Sequence, residues 1–248
     1  MRLQEILYSQ GFGTRRVCAG LIQRGLVQLR DARNPAEPLP CTDTGQELDP
    51  DDLTIYVQGT EWRCHSRAYV MMHKPAGTEC SQKPSAHPSI YTLLPDPLRA
   101  RPGTGSMLGV QAIGRLDQDT TGLLLLSDDG HFIHRMSSPK KSVPKVYRVH
   151  AKHGITPQQI ARLLEGVALN DDPAPVRAAA CTLIDEQLMD LTLTEGKYHQ
   201  VKRMVAAVGN RVEALHRVSI GGLVLPDDLA PGQWRWLSAE DLAKLSPA

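Results

Sequence analysis

Apolar positions along this chain recur first at helical and then at strand spacing. Leu3, Ile6 and Leu7 mark one face of a first helix, which Gly11 and Gly13 end. Thr14 is placed to cap a second helix over Arg15–Arg24, with Val17, Leu21 and Ile22 turned inward. Leu26–Leu29 and the alternating Leu53–Val57 read as strands, separated by a proline-rich acidic stretch from Asn34 to Asp52. Tyr69–Met72 is a further short strand, and residues 78–105, rich in proline, read as a long connecting arm. Four consecutive leucines, Leu123–Leu126, follow directly on a polar segment hinged by Gly114 and Gly122. That pattern predicts a strand buried on both faces with a tight loop at its mouth. His131–Ser138 reads as a short helix capped by Asp128 or Asp129, and Lys145–Ala151 alternates as a strand. Thr156 caps a helix that opens with Pro157 and runs to Gly166. Strands over Ala178–Ile184 and Met189–Thr194 precede an amphipathic helix, His199–Val208, whose Val201, Met204, Val205 and Val208 share a face and which Gly209-Asn210 stops. Helices and strands do not alternate regularly, so the predicted class is α+β rather than a doubly wound parallel sheet.

Composition adds three constraints. A chain of 248 residues holds one large domain or two smaller ones, and 41% apolar content is ordinary for a globular protein. No apolar run reaches the length of a membrane span, and Met1–Glu5 does not read as a signal peptide, so the expectation is a cytoplasmic protein without a membrane partner. The five cysteines are odd in number and scattered, with no metal-ligand spacing; they read as reduced thiols, and no metal is expected. The net charge of +1 conceals segregation. Residues 1–30 carry Arg2, Arg15, Arg16, Arg24 and Arg30 against Glu5 alone; residues 31–61 carry eight acids and only Arg33. Residues 131–152 carry Arg135, Lys140, Lys141, Lys145, Arg148 and Lys152 with no acid. Basic blocks on a nearly neutral chain suggest a polyanion laid across particular faces.

Three polar features sit beside apolar elements and are candidates for chemistry. Asp117, with Arg115, lies on the loop before the leucine strand, where a carboxylate short of water is costly unless paired or reactive. Tyr147 lies within Lys145-Val-Tyr-Arg-Val149. In Glu195-Gly-Lys-Tyr-His-Gln-Val-Lys-Arg-Met204, Lys202 falls between the inward positions Val201 and Met204. Its ammonium either reaches inward to an anion or extends to water over a packed stem.

Met1 to about Val57 resembles the S4 RNA-binding domain, although Leu29-Arg30-Asp31 stands where an Asn-Gly turn is usual. Gly114-Arg-Leu-Asp-x-x-Thr-x-Gly-Leu-Leu-Leu-Leu-x-x-Asp-Gly130 is similar to the signature of pseudouridine synthases. His73-Lys-Pro-Ala-Gly77 resembles their first motif, with His where Asn is usual; Lys145-Val-Tyr147 and Tyr198–Met204 match two others. The combination is similar to the ribosomal small-subunit pseudouridine synthase A group. That resemblance implies an S4-like α/β RNA-binding domain over residues 1–58 and a linker over 59–66. Residues 67–248 would then form a larger catalytic domain with a mainly antiparallel mixed sheet flanked by helices. It implies isomerisation of a uridine, with the N1–C1′ bond exchanged for C5–C1′ and no cofactor. Asp117 would be the essential carboxylate, trapping C1′, attacking the base or removing a ribose proton. Lys202 would be its basic partner and Tyr147 the platform for a flipped-out base. Arg115, Lys74, Lys145, His199, Gln200 and Arg203 would contact RNA, with Arg15, Arg16 and Arg24 positioning it. The implied partner is 16S ribosomal RNA or a small-subunit assembly intermediate, met by a monomer. Rival readings are a 23S or tRNA enzyme of the same superfamily, a non-catalytic S4-domain assembly factor, and a nucleosidase. The last would need a second carboxylate, for which Asp119 is the near candidate.

Overall fold

A computed structural model describes residues 1–31, 34–51, 53–103, 108–169 and 174–245. Asp52, at the end of the acidic stretch, and Thr104 and Gly105, at the end of the proline-rich arm, lie outside them. The fold is α+β, as the irregular order of elements predicts. The chain forms two compact units. The first comprises Met1–Ala68 together with Leu94–Gln111 and Ser127–Asp129, the second the remainder. The sequence reading differs here: it ends the first domain at residue 58 and assigns the two later segments to the catalytic domain.

In the first unit, α1 (Leu3–Gln10) and α2 (Arg15–Gln23) form where their apolar spacing places them. Gly11 closes α1 with φ +92°, and a Cβ there would lie 2.1 Å from the Pro97 carbonyl oxygen. Thr14 caps α2, its Oγ1 accepting from the Val17 N–H at 3.3 Å. The buried face of α2 is Cys18, Leu21 and Ile22; Val17, expected inside, is exposed. The true face follows i, i+3, i+4, and Val17 lies one position off it. β1 (Val27–Asp31), β2 (Asn34–Cys41), β3 (Thr54–Val57) and β4 (Thr60–Arg63) form an antiparallel sheet in the order β2-β1-β3-β4. β2 occupies part of the proline-rich acidic stretch, where no strand is expected. As the edge strand it has, among the described residues, one side without a ladder partner, which is where a sheet tolerates Pro35, Pro38 and Pro40.

The short α3 (Asp96–Ala100) leads to Arg101, which is 1% exposed. Its Nε donates to Asp128 Oδ2 at 2.6 Å, Nη1 to Gln10 Oε1 at 3.1 Å and Nη2 to the His65 carbonyl at 2.8 Å. Asp128 Oδ1 also accepts the Ala68 N–H at 2.8 Å. Its carboxylate is therefore spent on Arg101 and Ala68, not on the helix cap proposed for it.

In the second unit, β5 (Tyr69–Lys74) is followed, after the α3 excursion, by the two-residue β6 (Gln111–Ala112) and then β7 (Thr121–Ser127). Gly122–Ser127 is buried throughout. α4 (Gly130–Ser137), β8 (Lys145–Ala151), α5 (Pro157–Glu165), β9 (Ala180–Asp185), β10 (Leu188–Leu193) and α6 (Gln200–Ala207) follow close to their predicted places. α5 carries a full capping box between Thr156 and Gln159. β11 (Val212–Ile220), β12 (Leu223–Val224), β13 (Trp234–Trp236) and α7 (Ala239–Lys244) complete the chain. The long strands lie in the order β13-β5-β7-β11-β8-β10-β9. β11 runs parallel to β7 and antiparallel to β8, so this is a mixed, mainly antiparallel sheet. One core gathers Val149, Leu191, Leu193, Met204 and Val205, uniting the β8–β10 face with α6. No helix among the described residues is long and apolar enough to cross a membrane.

Candidate active site

The loop between Gly114 (φ +69°) and β7 carries Asp117 to the edge of a cavity of about 360 Å³ built wholly from the second unit. Beneath the loop, Gly122 (φ +111°) lies opposite Arg217 in the β7–β11 ladder. A Cβ on Gly122 would stand 2.3 Å from the Arg217 carbonyl oxygen, so only glycine lets the two strands approach this closely. The Lys74 ammonium holds the loop from behind. It is fully buried and donates to the carbonyls of Thr120 at 2.9 Å, Pro75 at 3.0 Å and Gln118 at 3.4 Å. Burial pulls its pKa below the ordinary lysine value. Lys74, expected among the RNA contacts, is thus committed to the backbone of the Asp117 loop.

Asp117 is partly exposed and faces two bases carried by the start of α6. Its Oδ1 lies 3.3 Å from His199 Nε2 and its Oδ2 lies 3.6 Å from Lys202 Nζ. His199 precedes α6 with φ +49°, an unusual conformation for a side chain of this size. Lys202 does reach inward to an anion, but it meets two. Its ammonium donates to Asp119 Oδ1 and Oδ2 at 2.7 and 2.8 Å, closer than to Asp117. Burial works against the Asp119 charge, yet the hydrogen bond and charge of Lys202 prevail and hold its carboxyl below the usual range.

Tyr147, buried on β8, lines the cavity, as does Lys145, whose Nζ donates to the Val143 carbonyl at 3.0 Å. At the rim Arg115 lies 5.7 Å over the Tyr198 ring, which stacks on His199 at 3.8 Å. The 64% exposed Tyr198 presents a flat aromatic surface beside Asp117 that the sequence reading does not single out. Gln200 is buried and braces the preceding loop through the Lys197 N–H and Glu195, while Arg203 donates to the Tyr198 carbonyl. A second cavity of about 410 Å³ shares Arg115, Asp117, His199 and Lys202 with the first, so Asp117 stands where the two meet. Arg15, Arg16 and Arg24 belong to the first unit. Arg15 pairs with Glu5 at 3.1 Å and lies over Tyr8, and Arg24 donates to the Gly20 carbonyl. Among the described residues no cluster of three His, Cys, Asp or Glu side chains is arranged to hold a metal ion.

The residue that sequence reasoning missed is Arg217. Leu215, Arg217 and Ser219 alternate as the buried face of β11, so the guanidinium is only 2% exposed. The signal was present in the Leu-x-Arg-x-Ser spacing, which puts the arginine on an apolar strand's inner face.

A carboxylate loop on a parallel strand pair, two facing bases and a tyrosine-lined cavity define the class when set beside known proteins. The family profile described as RNA pseudouridylate synthase matches residues 68–207, and the chain belongs to this family, in its ribosomal small-subunit pseudouridine synthase A branch. It is 35% identical to the ribosomal small subunit pseudouridine synthase A of Vibrio parahaemolyticus over 98% of both chains. Its identity to the Yersinia pestis protein of the same name is 41%, over 71% of this chain and 72% of that one. It is also 36% identical to the uncharacterized RNA pseudouridine synthase YtzG of Bacillus subtilis, over 99% of this chain and 98% of that one. A solved pseudouridylate synthase structure superposes with a TM-score of 0.67 at 32% identity, covering 99% of this chain and 100% of that one. The chain is a pseudouridine synthase.

Proposed function

We propose that this enzyme isomerises a single uridine of 16S ribosomal RNA, in the cytoplasm, on the free RNA or a partly assembled small subunit. The observation that carries the reading is the placement of Asp117 at the cavity edge, 3.3 Å from His199 and 3.6 Å from Lys202, beside Tyr147. A uracil inside a stacked helix cannot offer C1′ and C5 to a protein carboxylate, so the nucleotide is extruded at a cost of about a few kcal/mol. A cavity of about 360 Å³ has room for one such nucleoside. Its base stacks on Tyr147, and its ribose lies toward Asp117. Lys202 and His199 stay against the carboxylate as the sugar displaces water. Arg115, with Tyr198 and His199, offers a layered surface to the strand the base has left. The first unit, S4-like in its helix pair and sheet, tracks phosphates through Arg15, Arg16 and Arg24.

The target is inferred from the relatives, which are ribosomal small subunit pseudouridine synthases. Pseudouridine mapping in ribosomal and transfer RNA from a deletion strain tests it. One 16S uridine should revert to unmodified and return when the gene is restored. Loss of a 23S or tRNA pseudouridine instead would move the target, and no lost site in any RNA would reject the reading.

A further inference from the structure

The cavity floor holds more positive charge than its walls neutralise. Arg217 Nε donates to the Leu123 carbonyl at 2.7 Å. Nη1 reaches the Tyr147 hydroxyl only at 3.5 Å, the limit of a hydrogen bond. Nη2 is sealed from water and has no hydrogen-bond partner among the described residues. No salt bridge to an acid is found for it among those residues. Lys145 lies on the neighbouring strand β8 and lines the same cavity. Burial lowers its pKa, and repulsion from Arg217 lowers it further, so the two cations lie close enough to feel each other. A buried cation beside a half-buried one, with no acid between them, is costly unless an anion joins them.

We propose that Arg217, seconded by Lys145, is the oxyanion site for the detached uracil, a catalytic role that rests on the reading of this cavity as a uridine isomerase. Breaking C1′–N1 sends its electron pair to N1, and the base then bears one negative charge shared among N1, O2 and O4. Asp117 balances the electron-poor C1′, either by bonding it through a carboxylate oxygen or by taking a ribose proton. On recombination a C5 electron pair forms C5–C1′ as the Asp117 oxygen leaves C1′, or as Asp117 returns the ribose proton; the C5 proton leaves to solvent and N1 takes one up, so the product is an isomer. The charge exists only between these two events. A base stacked on Tyr147 directs its carbonyl edge past the phenol oxygen toward the Arg217 guanidinium, whose Nη1 lies 3.5 Å from that oxygen. Arg217 is fixed by Leu123 on β7, the strand that the Asp117 loop feeds, so donor and carboxylate share one rigid support.

The test compares two RNA substrates in single turnover, one with uridine and one with 5-fluorouridine at the target, by chromatography of the digested RNA; because fluorine replaces the C5 proton that uridine sheds, the rate read for both is the loss of the parent nucleoside. Fluorine withdraws electrons and makes the uracil anion a better leaving group. Removing one such donor should slow Arg217→Gln about 10²–10³-fold on uridine. The loss on 5-fluorouridine should be at least about tenfold smaller, because less charge needs stabilising. RNA affinity should stay near wild type. Equal losses on both substrates would overturn the role. So would weakened RNA binding with an unchanged single-turnover rate, which would place a phosphate on the floor instead. If Arg217→Gln melts early, Arg217→Lys decides: it keeps the charge without the planar donor set, and the same selective loss is expected. Wild-type enzyme inactive on every RNA would instead indict the uridine reading itself.

Discussion

Arg101 in the first unit and Arg217 in the second are both shut away from water, at 1% and 2% exposure. Arg101 meets a carboxylate, a side-chain amide and two carbonyls, so that each nitrogen has a partner. Arg217 meets one carbonyl, one distant hydroxyl and, at Nη2, no partner among the described residues. The first pattern is what a scaffold requires, because any unpaired buried charge would destabilise it. The second is tolerated only where something else completes it. In this molecule that place is the floor of the cavity beside Asp117.

The contrast can be broken at either end. Arg101→Met strands Asp128 in the interior with one N–H for a partner, and should cost about 3–5 kcal/mol in denaturant unfolding. A loss below about 1 kcal/mol would show that the cluster is not a keystone. Tyr147→Ala removes the surface on which the base rests. RNA binding should weaken by about 1–3 kcal/mol and turnover should fall, whereas Tyr147→Phe should keep affinity. Equal affinity in wild type and Tyr147→Ala would remove stacking from the account. Arg217→Met abandons no acid, so its stability should stay within about 1 kcal/mol of wild type while turnover collapses. A melting loss like that of Arg101→Met would erase the distinction between the two arginines.

The smallest effect concerns Asp119. Its folded pKa lies below the unfolded value, so its contribution is complete above that unfolded value, near pH 4, and is lost as pH falls through the folded one. Because the pair is open to solvent, Asp119→Asn should cost at most about 1 kcal/mol at pH 6 and less as the pH drops. Melting curves from pH 3 to 6 check this; a difference that grows toward low pH would contradict the pairing.

Most of the second unit was legible because its elements follow simple periods. The leucine strand, β8 and α6 each bury the residues their spacing selects. β2 was hidden because its prolines are compatible with a linker, and only its edge position makes a strand of them. At the site, the sequence marked Asp117, Tyr147 and Lys202 but not how they share partners. Lys202 sits two residues from no carboxylate in the chain, and its closest acid, Asp119, arrives from a loop 83 positions away. Lys74 is expected among the RNA contacts because the His73–Gly77 motif resembles one of the family's; its burial follows from β5 lying inside the sheet. Arg217 needed the β7–β11 pairing before its inward face meant a floor.

The most direct measurement replaces the Asp117 carboxylate by its amide, a change of one atom pair that preserves size. Purified Asp117→Asn would be mixed with RNA carrying tritium at uridine C5, and label released to water counted against wild type. The account predicts release lowered by at least about 10³-fold with RNA affinity and melting unchanged. Release at a rate near that of wild type would contradict it.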